Sequence, residues 1–180
     1  MHIVIAIVTA IGVIAAWYYR IKMIGGAARD IGKAAQRVAN APRKFAFMRR
    51  GRQVGLKGVE DPREAATILM VLVAGGQGGR ELTDPQRDVI LDEVADHFEL
   101  DNEESETLVV HAQWMVRDVE VPAGVGERMA RVVITTPGIG PKELVDLDEM
   151  LVAVSEADGT AGAEGLKMLQ IFRDQAGLRA

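Results

Sequence analysis

Ten consecutive residues, Ala65 to Ala74, carry one polar side chain between them, Thr67. Just ahead stands Asp61-Pro62-Arg63-Glu64. That order puts Asp at the N-cap, Pro at the first helical position and Glu at the third, so a capping box is expected. A helix apolar on every side offers no face to water and has to be enclosed by other elements. At about ten residues it is too short to cross a bilayer, which takes about twenty. The chain around it must therefore supply a shell.

The sequence supplies that shell as further helices. Gly75, Gly76, Gly78 and Gly79 end the apolar run. They do not form a phosphate loop, because a helix precedes them and no Gly-Lys-Ser/Thr follows. Asp84-Pro85 starts the next helix, with Val89, Ile90, Val94 and Phe98 on its buried side. Asp101-Asn102-Glu103-Glu104 is a second capping box, opening a helix to about Val119 that carries His111 and Trp114. Pro122 opens a helix with Met129, Val132 and Val133 inward. Pro137-Gly138-Ile139-Gly140-Pro141 is a break. Pro141 then starts a helix with Leu144, Leu147, Leu151 and Val154 at core spacing. After Asp158-Gly159 a last helix carries Leu166, Leu169, Phe172 and Leu178. No run alternates with period 2, so no sheet is expected. Residues 58–180 read as one all-α domain of about six helices.

Charge divides the chain in two. Residues 1–57 hold eleven Lys/Arg against one acid, Asp30, while residues 58–180 hold ten against twenty-five. Such asymmetry marks pieces with different surroundings. Residues 1–19 contain no Lys, Arg, Asp or Glu and would span roughly 28 Å as a helix, close to the hydrocarbon thickness of a bilayer. Trp17, Tyr18 and Tyr19 stand where an interfacial aromatic belt belongs. The positive charge follows the run rather than preceding it, which favours an uncleaved transmembrane anchor over a signal peptide. By the positive-inside rule the N-terminus lies outside and the C-terminal domain in the cytoplasm, a single-pass arrangement in the inner (cytoplasmic) membrane. Ala6-x-x-x-Ala10 and Gly12-x-x-x-Ala16 are small-residue pairs through which two anchors could form a homodimer.

Residues 20–57 form a basic connector. Gly25-Gly26 loosens it, and Pro42 ends a helical stretch. Arg29, Lys33, Arg37, Arg43, Lys44, Arg49, Arg50 and Arg52 are read either as a solvated linker that sets topology or as a surface for anionic lipid. Nucleic acid is not an expected partner, because no stacking platform or base-reading motif accompanies the charge.

Chemistry is sparse. Without cysteine, disulfides and thiolate sites are excluded. Three scattered histidines do not make a zinc site. The only serines, Ser105 and Ser155, lack a nucleophile-elbow context, so no enzyme activity is expected. Asp84, Asp88, Asp92 and Asp96 recur every fourth residue as a slowly turning acidic stripe. It is either a solvated face or a face for a basic partner or a cation. Glu156, Asp158 and Glu164 could contribute oxygen ligands to Ca2+ or Mg2+; the alternative makes Asp158 a turn residue among solvated acids.

An internal repeat links the two ends of the domain. Leu72-Val73-Ala74 returns as Leu151-Val152-Ala153, and each precedes a small-residue turn and a helix. DPREAATILMVLVAGGQGGRELTDPQRDVI and LVAVSEADGTAGAEG resemble the TerB family of tellurite-resistance proteins, to which the N-terminal domain of the membrane-anchored co-chaperone DjlA is related. The resemblance covers about residues 58–178. It implies a multi-helix bundle with acidic clusters, divalent-cation binding and a stress response at the membrane. The second Ala-Asp-Gly turn is intact as Ala157-Asp158-Gly159, and Glu164 stands one place before the usual acid. In the first turn Gly79 replaces the Asp and Gln86 the later acid. The expected molecule is a membrane-anchored interaction or sensor module in envelope or metal stress, with protein partners. The alternative is a chaperone-associated adaptor without a J-domain, since no His-Pro-Asp occurs. A hydrolase is the third, disfavoured reading.

Overall fold

The computed structural model describes residues 55–159 and 161–178. The anchor expected at 1–19 and the connector up to residue 54 lie outside the described residues. So do Arg29, Lys33, Arg37, Arg43, Lys44, Arg49, Arg50 and Arg52. No described helix is long and apolar enough to cross a membrane.

The described residues are all-helical: a short 3-10 turn, Gly55–Gly58, then six α-helices. These are α1 (Pro62–Val73), α2 (Asp84–Phe98), α3 (Asn102–Val116), α4 (Pro122–Thr135), α5 (Pro141–Glu156) and α6 (Ala163–Ala176). Helix α1 packs against each of the other five. Every residue from Glu64 to Val73 is buried. The apolar run is thus the centre of the bundle, as its composition requires. Ile90, Val94, Leu108, Met129, Leu151, Met168 and Phe172 close around it from the five outer helices.

Local signals explain most boundaries. Asp61 caps α1 by accepting the Arg63 N–H at 2.9 Å. The expected capping box does not form there, because Glu64 turns inward and is 1% exposed. Helix α2 does have a capping box, centred on Thr83 rather than Asp84: Gln86 N–H donates to Thr83 Oγ1, and Thr83 N–H donates to Gln86 Oε1. At α3 the expected box forms between Asp101 and Glu104. Pro122 and Pro141 open α4 and α5. Helix α1 ends in a Schellman pattern. Gly75 N–H bonds Leu72 O, Gly76 N–H bonds Val71 O, and Gly75 takes the left-handed φ of 80° that only glycine adopts freely.

Two details of packing differ from expectation. Leu166, one of the apolar residues expected along the last helix, is 53% exposed. The buried face of α6 is Gly165, Met168, Leu169 and Phe172. Also, Leu151-Val152-Ala153 lies within α5, which continues to Glu156, whereas Leu72-Val73-Ala74 closes α1. The two repeat units therefore differ in helix length by about one turn.

Candidate interaction site

The two turns of the repeat meet. Thr83 Oγ1 donates to Asp158 Oδ1 at 2.7 Å. Gln77 Nε2 donates to Glu164 Oε2 at 3.0 Å, and the Arg80 guanidinium reaches the same oxygen at 3.3 Å. Gln77 is buried, and its Oε1 has no hydrogen-bond partner among the described residues. Asp158 and Glu164 thus serve as acceptors that clasp the α1–α2 turn to the α5–α6 turn. Glu156 is exposed at the end of α5, where its backbone carbonyl receives Gly159 N–H. Among the described residues no three Asp, Glu or His side chains converge as a group able to hold a metal ion.

The acidic stripe is where the sequence places it. Asp84, Asp88, Asp92 and Asp96 are all exposed on α2. None of the four forms an ion pair with another described residue. Their field reaches Glu93 beside them. Burial pushes the Glu93 carboxyl up; Asp96 and Asp92 add to the rise, against the pull of His97.

The stripe turns about 40° with each step of four residues, so its members part company. Asp88 and Asp92 enter a cleft of about 400 Å3 between α2 and α3. Leu91 and Ala95 line it from α2, and Ser105 and Glu106 line it from α3. Asp84 and Asp96 lie outside it. Ser105 is 1% exposed, and its Oγ has no hydrogen-bond partner among the described residues. The backbone of Ser105 is satisfied, since its N–H bonds Asp101 O at 2.9 Å. The orphaned hydroxyl alone is out of place in a buried wall, where such groups are nearly always paired.

No protein-family model, curated protein or solved structure matches the chain.

Farther along α3, Val110 and Trp114 follow Glu106 at spacings of four and are about half exposed. Trp114 is held from beneath. Its ring stacks on His111 with centroids 6.2 Å apart and planes 19° from parallel. His111 Nε2 in turn bonds Glu64 Oε1 at 2.9 Å inside the bundle. Among the described residues neither serine side chain hydrogen-bonds a histidine, and Ser155 Oγ donates to Val152 O at 2.8 Å. The sequence alone pointed Glu64 to a cap and gave Ser105 no role, and it did not single out Glu106, Thr83 or Gln77. For Thr83 a signal was present, the Thr-x-x-Gln pattern of a capping box. For Glu64 and Gln77 the partner lies in a distant element, and Ser105 and Glu106 come into view only through the way α3 lies against α2.

Proposed function

We propose that this chain is a membrane-anchored, TerB-like interaction module. It displays its acidic helical domain in the cytoplasm to a protein partner during envelope or metal stress. The observation that carries this reading is the row of four exposed aspartates on α2 with no cationic partner among the described residues. Like charges at that spacing cost a helix a few tenths of a kcal/mol per pair, and an opposing basic surface relieves that cost. The clasp of the Ala157-Asp158-Gly159 turn onto the α1–α2 turn supports two related hairpin units, which is the pattern behind the TerB resemblance. The anchor and its topology rest on the composition of residues 1–57.

The test is crosslinking in membranes. The full chain is compared with a variant in which Asp84, Asp88, Asp92 and Asp96 are all changed to Asn. Loss of a specific crosslinked product in the variant, with unchanged membrane insertion, is expected. An identical crosslinking pattern from the two proteins would sink the reading.

A further inference from the structure

We propose that the α2–α3 cleft is the receptor for an arginine or lysine side chain of an amphipathic basic peptide, with Val110 and Trp114 taking the peptide's apolar side. This rests on the acidic face being an interface, and it specifies the partner's chemistry and its placement.

Four observations converge. Asp88, Asp92 and Glu106 border one cleft, and none of them forms an ion pair among the described residues. A bare metal ion is a poor occupant, because a hard cation needs several oxygens close around it and no described group of three acids provides them. A cleft of about 400 Å3 suits a longer cation with its own donors. A guanidinium spreads five N–H donors in a plane and can satisfy carboxylates on two helices at once. The second observation is Ser105, a buried hydroxyl at the cleft with no partner among the described residues, which such a donor would satisfy. The third is the apolar continuation. Glu106, Val110 and Trp114 follow one another along about 12 Å of α3, two turns of a docked helix. An acidic cleft beside an exposed Val–Trp pair matches a helix that is basic on one side and apolar on the other. The fourth is preorganisation. The Glu64–His111 bond and the His111–Trp114 stack fix the indole before any partner arrives, which lowers the ordering cost of binding.

The experiment uses the full chain in phosphatidylcholine nanodiscs and a fluorescent amphipathic peptide of arginine and leucine, read by anisotropy. Controls are the same peptide with glutamate for arginine, an arginine-only peptide, spermine and CaCl2. Binding of the arginine–leucine peptide but not the glutamate peptide is expected. Asp88→Asn with Asp92→Asn weakens it about tenfold. Ser105→Ala weakens it about threefold while leaving the unfolding midpoint unchanged or raised, because the substitution removes an unsatisfied group. A merely structural serine would give the same midpoint and unaltered affinity. Trp114→Ala weakens the arginine–leucine peptide and spares the arginine-only one. The proposal is overturned by no binding, by Ser105→Ala and Trp114→Ala variants that bind as the parent does, or by displacement at lower concentration of spermine or CaCl2 than of unlabelled peptide. If the four-aspartate variant still abolishes the membrane crosslink while these outcomes hold, the interface reading survives and only this assignment falls.

Discussion

Glu64 and His111 are two polar side chains joined inside the bundle, one on α1 and the other on α3. Each satisfies the other, so each is costly to lose alone. Glu64→Leu strands the imidazole and is expected to cost about 1–3 kcal/mol. Glu64→Leu combined with His111→Leu should cost clearly less than the two single changes summed, because no orphan remains. Urea unfolding midpoints at constant slope measure this; strictly additive losses would mean that the bond contributes nothing. Asp61 makes a different kind of contribution. Burial pushes its carboxyl up, but hydrogen bonds and charge from Arg63, with the backbone amides of Arg63 and Glu64, outweigh that and leave it below its ordinary value. A folded-state value lower than the unfolded one adds stability above the unfolded value. That stability disappears as pH falls through the folded value. Asp61→Asn keeps a good cap and removes the charge. The deficit of this variant should therefore be present at neutral pH, begin to shrink below roughly pH 4 and vanish only once pH has fallen through the lowered folded value. A deficit constant from neutral to acid pH would show that the charge is not what matters.

Among elements, α6 comes close against α1 at Gly165. A Cβ placed on Gly165 would lie 2.6 Å from Val73 O, against backbone that cannot step aside. Gly165→Ala is therefore expected to destabilise by about 1–3 kcal/mol through overpacking. Gly162→Ala, at the N-cap of α6 where nothing lies within 4 Å, is the matched control. Equal thermal midpoints for the two variants would refute the close contact. This contact also shows where sequence reading stops. Helix starts were legible because Pro62, Pro122 and Pro141, and the Asp101–Glu104 pair, act through the chain beside them. On α6, Leu169 and Phe172 were legible as buried but Gly165 was not. A glycine that lets two backbones touch has no hydrophobic signature, and its neighbour Leu166 has a strong one that points the wrong way. Likewise Glu64 carries the signature of a local cap, and only a partner 47 positions away shows its other use.

At the scale of the whole molecule, one composition signal carried most of the architecture. A helix without a polar face fixed both its own central place and the need for a surrounding shell. How the shell closes was not legible, since Thr83 meets Asp158 across 75 positions and Gln77 meets Glu164 across 87. The acidic stripe was legible as a periodicity, but the cleft that selects Asp88 and Asp92 from it depends on how α3 lies against α2. The same arrangement has a consequence in time. Of the described helices, α1 is made first, and α6, which seals its C-terminal end, is made last. Roughly 100 residues separate the two, on the order of 5–20 s of synthesis. Through that interval the nascent chain holds an apolar helix with only part of its cover. Whatever attends the chain as it leaves the ribosome must shield it until then.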